Sequence, residues 1–190
     1  MSRGHIEGPL EKRGRALEEQ FFAKENRRLL EQLRRKRERA EGREALARAC
    51  GLSREDVLEE LQEHGIQAET VVAMALMPLV QVAWANGKVE DHEREALLKA
   101  AEQCGVARNS DCHELFEDWL DVRPSPSLFR TWADYTRAMC EQLESEQRES
   151  LRRDIVGRAR KVAEAAGGFL GLARISREEQ RVLEEIDAAF

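Results

Sequence analysis

Four residues around one turn carry the oxygen atoms a hard cation takes: Asn86, Glu90, Asp91 and Glu93, in "WANGKVEDHERE". Carboxylate and amide oxygens bunched this closely suit calcium or magnesium. A plainer account covers the same four residues. Asn86-Gly87 makes a tight turn, and acids in the first turn of the next helix complement the positive end of its dipole. The cofactor expectation is therefore none, or a divalent cation at this turn. Cys112-His113 is a poorer ligand pair, because adjacent helical positions point apart and two further ligands are missing. The usual marks of catalysis are absent: no phosphate-binding glycine loop, no nucleophile motif and no His-x-x-x-His pair. "GGFLG", Gly167 to Gly171, lacks the preceding strand of a nucleotide loop and reads as a wide helix–helix turn. The chain is expected not to be an enzyme.

The elements that position these residues read as helices throughout. Four prolines in 190 residues, abundant Ala, Leu, Glu and Arg, and no train of β-branched strands give an all-α expectation. The most apolar stretch, "TVVAMALMPLVQVAWA" (Thr70 to Ala85), is shorter than the roughly 20 residues that cross a bilayer and is interrupted by Pro78 and Gln81. It is expected as one core helix of a bundle, ending at Asn86-Gly87. Before it, Ser53 is placed as an N-cap, with Asp56 three residues on and Gly65 as the stop. After it come an acidic helix closed by Gly105, a helix capped by Ser110, and a helix from about Ser127 to Leu143 with Pro126 in its first turn. Phe129, Trp132, Tyr135 and Met139 recur on that helix at packing spacing. A long helix to Ala166 and a last one opened by Ser176 and Glu179 complete the chain. This gives a charged amphipathic arm over residues 1–50 and a bundle of about five to seven helices over 51–190.

Charge is divided unevenly between these parts. Residues 1–50 hold 14 Lys/Arg against 9 Asp/Glu, a net +5, so a total of −6 leaves −11 on the remainder. A basic arm on an acidic body is a common plan for a protein with an interaction segment. The four cysteines include no C-x-x-C pair, and "MSRGHIEGPLEKRG" has no apolar leader core. Free thiols in the cytoplasm are the expectation.

The bundle contains an internal echo. "VAWANGKVEDHEREALL" (Val82 to Leu98) is similar to "VAEAAGGFLGLARISREEQRVL" (Val162 to Leu183), with Val89 and Glu93 matching Ile175 and Glu179. Each copy has the end of an apolar helix, a glycine turn, a β-branched residue and an acidic helix start. The first copy resembles the signature of TerB-like (tellurite-resistance) domains, over roughly Glu69 to Phe190. That resemblance implies an all-α bundle of helix–turn–helix repeats, in which acidic residues near the turn are proposed to hold a divalent cation. This sequence has Asn86 where the family's first carboxylate is expected.

The arm raises a separate question. In "LEEQFFAKENRRLLEQL" (Leu17 to Leu33), apolar residues occupy a broad arc of a heavily charged helix. At about 100° per residue, Leu10, Leu17 and Phe21 form one stripe; Phe22, Leu29 and Leu33 form a second about 100° around; Leu30 lies beyond it. Such a helix suits a cleft that grips it from several sides. "KRGRALEEQFFAKENRRLLEQLRR" (Lys12 to Arg35) resembles the inhibitory segment of the mitochondrial F-type ATPase inhibitor family. Lys-Arg, an acidic cluster, an aromatic pair, spaced leucines and a basic end occur in the family's order. The resemblance implies that the helix enters the nucleotide-dependent cleft between catalytic subunits. Glu18 would pair there with an arginine; Phe21, Phe22, Leu30 and Leu33 would fill apolar pockets; and Arg34 and Arg35 would form the basic end. The family continues as a histidine-containing coiled coil, whereas "RKRERAEGRE" here leads into the bundle and the nearest histidines are His5 and His64. The layout, an inhibitory helix on a helical domain, is similar to that of the alphaproteobacterial ATPase inhibitor subunit zeta.

Two alternatives stand beside this reading. The apolar arc would serve the chain's own core if the helix packs on its bundle, leaving a TerB-like stress-response or scaffold domain. "RRKRER" (Arg34 to Arg39) would meet nucleic acid only if its charge were free. Glu31–Arg35, Arg34–Glu38 and Arg37–Glu41 at i,i+4 spacing neutralise it, and no aromatic residues interleave for stacking. A protein partner is expected rather than a nucleic acid, and no transmembrane segment.

Overall fold

The computed structural model describes residues 9–166 and 175–190, with side chains described from Gln20 to Glu164 and from Ile175 to Phe190. Among the described residues there are helices and turns and no strand. In chain order the helices are α1 (Pro9–Cys50), α2 (Glu55–Glu63), a 3-10 segment (Val71–Leu76), α3 (Met77–Ala83), α4 (Asp91–Gln103), α5 (Asp111–Asp121), α6 (Pro126–Cys140), α7 (Ser145–Ala166) and α8 (Arg177–Asp187). The expected all-α fold, a long first helix followed by a compact helical set, is what forms. The glycine-rich turn expected over 167–173 lies outside the described residues.

Contacts divide the chain into two units, Met1–Gly42 and Arg43–Phe190. Leu46 is fully buried with the second unit's core, so the last two turns of α1 group with the bundle and the division falls at Gly42 rather than residue 50.

The bundle is built around α3, whose Met77, Leu79, Val80 and Val82 are buried. It contacts α6, α7 and α8, while α2 packs on α6, α4 contacts α5 and α7, and α5 packs on the 3-10 segment. The apolar run is not one α-helix. Pro78 has no N–H to donate and its ring opposes the carbonyl four residues back, so the chain ahead of it winds as a 3-10 segment and α3 begins at Met77. Both pieces remain central, with Ala73, Met74 and Leu76 buried alongside α3.

Local chemistry sets the other boundaries. The residue before α2 is Arg54, not Ser53, and it gives no side-chain cap. The Arg54 guanidinium instead grips Asp56 through Nε–Oδ1 at 2.9 Å and Nη2–Oδ2 at 2.5 Å. At the other end, Gly65 takes φ +76°, its N–H donates to Gln62 O, and Ile66 N–H donates to Leu61 O at 2.9 Å. That double closure buries Ile66 against the turn it terminates. Gly105 and Val106 repeat the device at the end of α4. Ser110 Oγ accepts from His113 N–H and Ser125 Oγ from Leu128 N–H, capping α5 and α6. The α6 helix stops at Cys140 rather than Leu143, where Arg148 of α7 donates to the Cys140 carbonyl. Its aromatic stripe packs inward as expected: Trp132 is buried, stacked on Phe129 at 5.2 Å and edge-on to Phe190 at 6.4 Å.

All four cysteines are free thiols; Cys112 and Cys140 are buried, and burial raises both above the ordinary thiol range. Among the described residues no helix is long and apolar enough to cross a membrane.

Candidate functional site

Within the first unit, every residue from Gln20 to Arg39 except Glu25 is exposed. Phe21 is 63% exposed, Phe22 58%, Leu30 66% and Leu33 59%, with Leu29 at 48%. The two rings meet edge to face, their centroids 5.9 Å apart at 72°. Taking Phe21 as zero and about 100° per residue, Leu29, Phe22 and Leu33 lie near 80–120° and Leu30 near 180°. The five apolar side chains are therefore spread over about half of the helix circumference, interspersed with Glu25, Asn26 and Gln32, and all five are open to water. Single exposed leucines are ordinary on protein surfaces; five large apolar side chains exposed within about four turns are a concentration of the kind that marks an interaction surface.

The basic end of this stretch is not bare charge. Arg34 Nε pairs with Glu38 Oε1 at 2.8 Å, and Arg35 Nη2 with Glu31 Oε1 at 2.6 Å. Among the described residues Arg37 and Glu41 do not close the third expected pair. Exposed i,i+4 pairs of this kind contribute only about 0.3–0.5 kcal/mol each, so a partner's carboxylate could exchange with either. The side chains of Leu10, Leu17 and Glu18 lie outside the described residues.

The four oxygen-bearing residues around Asn86 come together only in part. Gly87 takes φ +86°, the left-handed geometry of an Asn-Gly turn, and Asn86 is exposed. Glu90 precedes α4, and its N–H donates to Glu93 Oε2 at 2.8 Å, so the Glu93 carboxylate is folded back as a helix cap. Glu90 pairs with Lys88 at 2.7 Å, and this bond holds its carboxyl below the ordinary range. Asn86 Oδ1 meets Ser176 Oγ at 3.4 Å. Among the described residues no group of three or more His, Cys, Asp or Glu side chains is arranged to hold a metal ion.

The internal echo has a matching geometry. Val89 and Ile175 are both half-buried against the core, and each is followed by an N-cap residue, Glu90 or Ser176. The glutamate three residues on returns a carboxylate oxygen to the cap N–H in both, at 2.8 Å for Glu93 and 2.7 Å for Glu179. In the second copy Ser176 Oγ also accepts from Glu179 N–H at 3.1 Å, and Glu179 is buried. The two helix pairs interlock: α3 contacts α7 and α8, and α7 contacts α4.

A cleft of about 660 Å³ bounded by α3, α4 and α7 was not foreseen. Its lining comes from three separated segments and forms no motif. Helical periodicity could have placed Arg158 and Lys161 on one face, but not opposite Leu79 and Leu97.

Comparison of the chain with family models, with curated proteins and with solved structures found no match.

Proposed function

We propose that the chain is a non-enzymatic regulatory protein whose α1 helix docks its apolar arc into an F-type ATPase and restrains ATP hydrolysis, with the bundle as its carrier. The observation that carries this reading is the exposure of Phe21, Phe22, Leu29, Leu30 and Leu33 on one charged helix. An arc this wide fits a cleft closing on the helix from several sides, as the likeness of Lys12–Arg35 to the ATPase inhibitor segment implies. In such a cleft Phe21, Phe22, Leu30 and Leu33 occupy apolar pockets, Glu18 meets an arginine, and Arg34 and Arg35 lie at the mouth. Buried aromatics at the centre of an interface are where truncation costs most.

The magnitude follows from burial. Fully covering a Phe side chain contributes about 1.5–3 kcal/mol. Rings already part-covered on the helix would gain about 1–2 kcal/mol each. Removing both should weaken binding by about 2–4 kcal/mol, or roughly 30- to 700-fold. The test is hydrolysis by a purified F-type ATPase titrated with the full chain and with Phe21→Ala plus Phe22→Ala. Inhibition by the first, shifted at least 30-fold in the second, supports the reading; no inhibition by the intact chain removes it.

A second reading concerns the bundle. The matched turns at Glu90–Glu93 and Ser176–Glu179 favour a repeated helix–turn–helix of TerB-like kind, serving as a stress-response or scaffold domain. Calcium or magnesium should then raise its melting temperature if the Asn86 turn takes a cation, and leave it unmoved if that turn is only structural.

A further inference from the structure

The cleft between α3, α4 and α7 has the make-up of a small-molecule site. Its volume of about 660 Å³ falls within the roughly 300–1,000 Å³ typical of ligand pockets. A space of this size admits several waters. Leu79, Leu97, Ala100 and Val162 supply apolar walls from all three helices. Such walls interact poorly with that water and favour a hydrocarbon in its place.

Beside the polar His92, Gln103 and Cys104, the formal charges in the lining are Glu93, Arg158 and Lys161, and they are mainly positive. Arg158 and Lys161 lie three residues apart on α7, and both line the cleft. Neither has a carboxylate partner among the described residues; Arg158 Nη1 contacts only Cys104 Sγ, at 3.2 Å. They stand out on a body whose residues 51–190 sum to −11. Glu93 lines the same cleft, with one carboxylate oxygen turned back to accept from Glu90 N–H. Two cations against one carboxylate leave one positive charge to be matched. A single anionic head fits that balance, whereas a phosphomonoester or a dicarboxylate would meet Glu93 with charge to spare.

The geometry points to a binding site for an amphiphilic monoanion, an unbranched carboxylic acid of medium chain length. Its carboxylate sits between Arg158 and Lys161 and its tail lies along Leu79, Leu97 and Val162. Cation pairing fixes the head, and exclusion of water from the apolar walls holds the tail.

The test uses the full-length protein and calorimetric titration with decanoate and with decanol, which share a chain length and differ in head charge. Decanoate, at submicellar concentration, should bind saturably at one site and at least tenfold more tightly than decanol. In Arg158→Ala plus Lys161→Ala, decanoate should fall to the level of decanol while decanol is unchanged. Ala96→Trp fills the cleft from an exposed lining position and should abolish both, with the tryptophan-reported melting temperature confirming the fold of each variant. Equal binding of the two ligands, no saturable decanoate binding, or decanoate binding that survives either variant would overturn the assignment.

Discussion

Two aromatic truncations should separate the arm's chemistry from the body's. Trp132 is 1% exposed, stacked on Phe129 and edge-on to Phe190, so Trp132→Ala removes a large side chain from a closed site. Core truncations of this size cost about 3–5 kcal/mol. At about 2–4 °C per kcal/mol for a chain of this length, the bundle's melting temperature should fall by about 6–20 °C. Phe21 and Phe22 are more than half exposed, so Phe21→Ala plus Phe22→Ala leaves no void. Alanine is also the better helix former by up to about 0.7 kcal/mol per site. The double variant should change bundle stability by no more than about 0.5 kcal/mol, or about 2 °C. Trp84 and Trp119 remain in both variants and both belong to the bundle, so tryptophan fluorescence during thermal unfolding reports that unit alone. The two variants also keep the fold question apart from the binding question. A loss of 5 °C or more in the double phenylalanine variant would mean that the rings support the bundle, and the docking argument would fail.

Two further outcomes concern titration and capping. Tyr135 is the only tyrosine, and burial, with Cys50 nearby, pushes its hydroxyl up to about 12. Its neutral form is favoured in the fold, so its stabilising contribution is intact below pH 10 and lost as pH rises from 10 through 12. Absorbance at 295 nm should titrate near pH 12 or with alkaline unfolding, whichever comes first; a reversible midpoint near 10 in the folded chain would contradict the burial. Glu179→Ala removes both a helix cap and a buried side chain and should cost about 1–3 kcal/mol in urea unfolding. Glu179→Gln keeps an acceptor for Ser176 N–H and should cost less than half as much; equal losses would show that the cap bond contributes little.

Much of the fold was legible because single residues dictate it. Gly65 and Gly105 closed their helices where left-handed backbone was needed, and Ser110 and Ser176 opened theirs by accepting a backbone N–H. Pro126 began a helix because its missing N–H costs nothing in the first turn. The misplacements came from competition. Pro78 can sit early in one helix as easily as interrupt another, and periodicity did not decide which. Ser53 had the right chemistry for a cap, but the bidentate Arg54–Asp56 pair occupies that turn instead. Glu90 and Glu93 are a different case: their oxygens suit a cation, and in the fold a lysine pairs with the first while a backbone N–H donates to the second. The apolar arc of α1 was visible as a pattern. Its exposure was not, since an amphipathic helix is written in the same residues whether it faces a core or a partner. The cleft was hidden because its walls come from three helices distant in sequence.

The most direct measurement of the central claim is a site-specific photocross-link from residue 22. The chain, carrying a benzophenone side chain in place of Phe22, is irradiated with an F-type ATPase in the presence of Mg-ATP and, separately, without nucleotide. The account predicts a cross-link to the catalytic subunit that depends on nucleotide and is competed by a peptide of residues 12–35. A cross-link to this chain's own bundle in both conditions, or none to the ATPase, would contradict it.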